Sequence, residues 1–117
     1  MQTVSVKDVI SKNIAMSTED GQKLFLVLYN LLKQEKVQKV QLSFEDIDIL
    51  ISHFLNESIG KLYEKFSNWE ILDNAIEYIK IDSDDLQLLK EKVIPTAKSH
   101  YKDITRSEKI QMDILND

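Results

Sequence analysis

The sequence contains no cysteine, so neither a disulfide framework nor a thiolate zinc site can form. It has only two glycines, Gly21 and Gly60, and one proline, Pro95, which leaves little material for long irregular loops or a turn-rich all-β fold. Arginine is nearly absent: Arg106 is the single one among fifteen cations, and the net charge is −5. The planar fork that grips phosphates and base edges is therefore scarce, and nucleic-acid binding is not expected. No apolar run approaches the roughly 20 residues that span a bilayer, and no basic-then-apolar leader opens the chain, so a cytoplasmic location without membrane contact is expected. What is present is ordinary for a globular protein: 43% apolar and 30% charged residues in a 117-residue chain. That length is enough for one domain burying roughly 65% of its unfolded surface.

Along the chain, short apolar segments alternate with amphipathic ones. Thr3-Val4-Ser5-Val6 alternates polar and apolar residues and reads as a strand, and Asn13 to Met16 reads as a second. Ser17-Thr18-Glu19-Asp20 is a helix start, with a hydroxyl to accept from orphan N–H groups and acids at the positive end of the dipole. Leu24, Leu28, Leu31 and Leu32 then line one face, and the helix should end near Lys33 to Lys36. Gly21 reads as a tolerated glycine of the first turn, with close packing against a neighbour as the alternative. Lys39 to Phe44 is the central strand, Glu45-Asp46-Ile47-Asp48 an acidic turn and Ile49-Leu50-Ile51 an apolar run. A helix capped by Ser52 follows, with Leu55, Ile59, Leu62 and Phe66 facing a core. Trp69, Ile71 and Leu72 form an apolar connector, and Ala75 to Ile81 contains another strand. Asp82-Ser83-Asp84-Asp85 starts the next helix, whose stripe Leu86, Leu89, Val93, Ala97, Tyr101 crosses Pro95, where a kink or break is expected near Ile94. Strands interleaved with helices indicate an α/β fold over residues 1–102, with residues 103–117 as a tail that could form a short helix from the Thr105-x-x-Glu108 capping pattern.

The segment Val40-Gln41-Leu42-Ser43-Phe44, followed by Ser52-His53-Phe54-Leu55-Asn56-Glu57 and Ile59-Gly60-Lys61-Leu62-Tyr63, resembles the STAS-like domains, relatives of sulfate-transporter and anti-sigma-factor-antagonist domains. Asp8-Val9-Ile10 and Ala15 to Gly21 resemble that family's opening segment. The resemblance implies a four- to five-stranded mixed sheet packed with three to four helices. It also implies a regulatory protein–protein role rather than an enzymatic one, with a histidine-kinase-type ATPase as the class of partner. Ser52 matches the serine that such antagonists carry as a phospho-switch. Ile51, Phe54 and Ser43 stand where relatives often have an acid, a glycine and an aspartate.

The residues themselves offer little other chemistry. No Gly-x-Ser-x-Gly elbow, glycine-rich phosphate loop or zinc-protease motif occurs, so no catalytic residue is assigned and no cofactor is expected. His53 and Glu57 lie four apart on one helix face, a spacing that suits a local ion pair and supplies too few ligands for a metal site. Glu45-Asp46-x-Asp48 and Asp82-x-Asp84-Asp85 lack the glycine and distal glutamate of a calcium loop. His100 reads as a surface residue. Ser52, His53, Asn56 and Glu57 are thus the expected partner-binding patch of a non-catalytic regulatory module. The alternative is a small-ligand or nucleotide sensor using the same helix N-terminus as an anion site. Self-association is compatible with either reading.

Overall fold

The computed structural model describes residues 2–99; the expectations for His100, Tyr101 and the tail lie outside these. The strands are β1 (Gln2–Ser5), β2 (Ile14–Ala15), β3 (Val40–Ser43), β4 (Ile49–Leu50) and β5 (Ile76–Ile79). Among the helices, α1 (Val6–Ile10) follows β1 directly and α2 (Thr18–Tyr29) runs on through a π turn, Asn30–Gln34. Next, α3 (Ser52–Leu55), a π turn Asn56–Gly60 and α4 (Lys61–Lys65) form one unbroken path, because the junction residues Leu55, Asn56, Gly60 and Lys61 all keep right-handed helical angles. Then come α5 (Trp69–Ala75) and α6 (Ser83–Leu88), the latter continued by a π turn, Leu89–Val93, and a helical stretch over 94–99.

The sheet differs from the expected one. Instead of a single mixed sheet, the described residues form two, a three-stranded one ordered β1-β3-β5 and a two-stranded one of β2 and β4, and every pairing among them is parallel. Each strand is separated from its partner by helix, so the chain returns to the same end before pairing, as parallel connections require. The expected central strand is central: β3 lies between β1 and β5. Val4, Val40, Leu42 and Ile76 point inward and are buried. On the other face, Thr3 donates to Gln41 (3.1 Å) and Gln41 to Glu77 (3.4 Å), an exposed polar row across three strands.

Helix 52–65 is the centre of the core, with Phe54, Leu55, Ile59 and Leu62 fully buried. It lies parallel to α2: Thr18 meets His53 at the start, and the Tyr29 and Phe66 rings stack edge-on near the end, 6.1 Å apart. The two glycines lie on its two flanks. A Cβ at Gly21 would stand 2.7 Å from Glu57 Cβ and 3.1 Å from the Phe54 carbonyl oxygen, so close packing, and not first-turn tolerance, explains that glycine. At Gly60 a Cβ would meet Ala97 and Val93 at 3.7 and 3.9 Å, ordinary contact with helix 83–99. Ser58, fully buried in the π turn, donates from its hydroxyl to the Phe54 carbonyl at 2.7 Å. A π turn reaches one residue further back than an α turn, and the hydroxyl satisfies the i−4 carbonyl locally.

Three further expectations change. Ser5 accepts from the Asp8 N–H and starts α1, a helix that the short apolar run Val9-Ile10 did not announce. Asn68 accepts from the Ile71 N–H, so the Trp69 segment is a capped helix and not a connector. Pro95 neither breaks nor ends its helix: Ile94 keeps helical angles (φ −67°, ψ −48°), and the π turn Leu89–Val93 precedes the proline. A widened turn is where a helix can accommodate the hydrogen bond that proline cannot make.

Candidate functional site

The β2/β4 pair sets two helix starts side by side. Ile14 pairs with Ile49 and Ala15 with Leu50. The Asn13 carbonyl accepts the Asp48 N–H at 2.8 Å, and the Asn13 side-chain amide donates to the Asp48 carboxylate at 2.5 Å. The Ile51 N–H donates to the Ala15 carbonyl at 3.1 Å, extending the ladder to the point where both chains turn into helix. Ser17 caps α2 by accepting from the Asp20 N–H (3.1 Å), and thirty-five residues later Thr18 Oγ1 and His53 Nε2 share a hydrogen bond of 2.5 Å across the gap.

Alternation along the strands gives this pair two faces. Ala15 is buried and Leu50 half-buried on the inner face. Ile14 and Ile49, and by continuation of the register Met16 and Ile51, share the outer face. Met16, Ile49 and Ile51 are 48%, 46% and 36% exposed, a contiguous apolar patch where a parallel pair is ordinarily covered.

Each expected site residue can now be placed. Ser52 is exposed and is the first helical residue, not the cap; Ile51 occupies the cap position and provides no side-chain bond. His53 is exposed and pairs with Thr18 rather than with Glu57. Asn56 is exposed one turn further on, whereas Glu57 is half-buried with its Cβ against Gly21. Ser52, His53 and Asn56 therefore share the open end of helix 52–65, while Glu57 belongs half to the α2 interface. Phe54, at the position where the resemblance has a glycine, is a fully buried core residue. Thr18, Ile14, Met16 and Ile49 were not singled out as site residues. The alternation Ile14-x-Met16 and Ile49-x-Ile51 was a visible signal for the apolar face; nothing in the sequence paired Thr18 with His53.

Below the site, the Asp20 carboxylate is buried and held by Lys12 at 2.8 Å and Lys23 at 3.7 Å. The Lys12 hydrogen bond lowers its pKa below the ordinary carboxylate value, so it is charged near neutral pH and anchors the first turn of α2. At the opposite end of helix 52–65, the buried Tyr63 hydroxyl donates to Asp73 (2.5 Å), whose other oxygen takes Lys98 Nζ at 3.0 Å. The Trp69 indole N–H donates to the Tyr63 carbonyl at 2.9 Å, and the Lys98 ammonium lies 5.3 Å from the Tyr63 ring centroid. Burial, and then Asp73, push the Tyr63 phenol well above its ordinary range. Burial does the same for Tyr78. These are structural, neutral tyrosines. Among the described residues, no group of three or more His, Cys, Asp or Glu side chains is arranged to hold a metal, and no helix is long and apolar enough to cross a membrane.

Parallel strands alternating with helices define a small α/β domain, with an exposed helix start beside a bare apolar strand pair. The family described as "STAS-like domain of unknown function (DUF4325)" matches residues 20–86, more than half of the 117, and the chain belongs to it. No curated protein and no solved structure matches the chain.

Proposed function

We propose that the chain is a non-catalytic regulatory module of the cytoplasm that binds another protein through the joint start of α2 and helix 52–65. The supporting observation is the exposed apolar face Met16-Ile49-Ile51 directly beside the exposed polar groups Ser52, His53 and Asn56. An apolar centre with a polar rim is the usual anatomy of a protein interface. The resemblance to anti-sigma-factor antagonists makes a histidine-kinase-type ATPase the partner class to test first. Ser52 is then the position where phosphorylation would act. It is accessible, and a charge of about −1.5 to −2 placed next to that apolar face would disfavour docking.

The test is affinity capture of native partners by the wild-type chain and by two folded variants, Ser52→Ala with Glu57→Ala, and Met16→Asp with Ile51→Asp. The proposal expects one stoichiometric partner that the second variant loses and the first binds more weakly. A partner retained unchanged by both would sink the surface assignment. Intact-mass analysis of the recovered chain reads out whether Ser52 carries a phosphate. The alternative, a nucleotide or small-anion sensor at the same helix start, predicts a thermal shift with nucleotides. A ligand at 100 times its dissociation constant stabilises by about 2.7 kcal/mol.

A further inference from the structure

A second surface lies on the three-stranded sheet, and it does not rest on the reading of the helix starts. Among the described residues, strand β5 has β3 on one side and no strand on the other. The Ile79 carbonyl accepts the Phe44 N–H at 3.0 Å, so Ile79 directs its backbone groups to the β3 side. Backbone groups of successive residues in a strand point to alternate sides. Glu77 therefore also faces β3, and Ile76 and Tyr78 turn their N–H and C=O groups to the open edge. Among the described residues, the backbone hydrogen bonds made outside helices and strands include none to them, and Ile76 is also the C-cap residue of α5.

Alongside this edge runs a cavity of about 570 Å³, walled on its far side by Leu86, Lys90, Ile94 and Lys98. These four recur every fourth residue along helix 83–99, so the wall alternates apolar and cationic. Lys39 stands at the margin of the same cavity. Lys98 is already engaged by Asp73, whereas Lys39 and Lys90 form no ion pair among the described residues. The groove thus offers the outward backbone groups of β5, apolar side chains, and the ammonium groups of Lys39 and Lys90, beside the carboxylates of Asp73, already taken by Lys98, and Glu77. A trough between an edge strand and a helix is the arrangement in which an extended peptide adds to a sheet. The volume is within the range of specific ligand sites.

We propose that this groove takes an extended acidic peptide segment of another protein, added along β5 as a fourth strand with its carboxylates on Lys39 and Lys90. A second copy of the chain is a poorer occupant, since it would set the same two lysines against themselves. The segment's backbone would bond to Ile76 and Tyr78, and four to five residues would span the strand.

The experiment is a titration of the ¹⁵N-labelled full chain with the probe acetyl-Glu-Val-Glu-Val-Glu-amide, following backbone amide shifts and hydrogen exchange. The expected result is a response concentrated at Ile76 and Tyr78, with slowed exchange there, and affinity at least tenfold weaker for the Lys39→Glu, Lys90→Glu double variant. Ser52→Ala should leave the response unchanged, which separates this site from the helix-start surface. Should the double variant not fold, wild-type affinity must still fall by several-fold between low and moderate salt. The proposal is overturned by a silent β5 at millimolar peptide, by equal binding of acetyl-Lys-Val-Lys-Val-Lys-amide, or by binding indifferent to both charge reversal and salt. It is also overturned if Tyr78 is already protected without peptide, whether that protection grows with protein concentration, marking a second copy, or is removed by Ile110→Asp and Ile114→Asp, marking the chain's own tail.

Discussion

The two ends of helix 52–65 are built in opposite ways. At its C-terminal end Tyr63, Asp73, Lys98 and Trp69 interlock through three hydrogen bonds, and the tyrosine is fully enclosed. At its N-terminal end Ser52 makes no capping bond, His53 has one exposed contact with Thr18, and the neighbouring strand pair leaves three large apolar side chains partly in water. Buried, mutually satisfied polar groups contribute to stability, whereas exposed apolar groups beside loosely held polar ones contribute little to it and are available to a partner. Stability is built into one end, and the other is the surface proposed above for partner binding.

The sharpest way to break it is at the glycines that seat the helix. Gly21→Ala should cost about 2–3 kcal/mol, because its Cβ would collide with a Cβ and a backbone carbonyl that cannot rotate away. Gly60→Ala, in ordinary contact and at helical angles, should instead stabilise by about 0.5–1 kcal/mol. Denaturant midpoints of the two variants check the opposite signs.

Next in size is the interlocked end. Tyr63→Phe should lose about 1–2 kcal/mol, since it leaves Asp73 with Lys98 alone. The phenols of Tyr63 and Tyr78 are raised above their ordinary value of 10.0. Their contribution is therefore complete below pH ~10, where the unfolded chain's tyrosines are also protonated, and is lost as pH rises further, by up to about 1.4 kcal/mol per pH unit per tyrosine. Denaturation at a series of alkaline pH values should show that decline, shallower in Tyr63→Phe.

The smallest effect belongs to the open end. Met16→Gln and Thr18→Val should each change stability by less than about 0.5 kcal/mol, as measured by chemical denaturation. A loss above 1 kcal/mol from either would mean that the strand-pair surface is part of the stabilising structure, and the contrast between the two ends would fail.

By itself the sequence determined the alternation of strands and helices, the burial of Leu24, Leu28, Leu55, Ile59 and Leu62, the central place of Val40 to Ser43, and the family of the chain. These follow from local periodicity, capping groups and contiguous motifs, all readable within a few residues. Only the tertiary structure decided that the pairing is parallel in two separate sheets, that Gly21 is a helix-crossing point, that Pro95 sits inside a continuing helix, that His53 answers to Thr18, and that among the described residues β5 has an open edge beside two lysines without an ion pair. Each of those depends on which distant segments are brought together, and on the few ångströms between them, a quantity that no periodicity along the chain encodes.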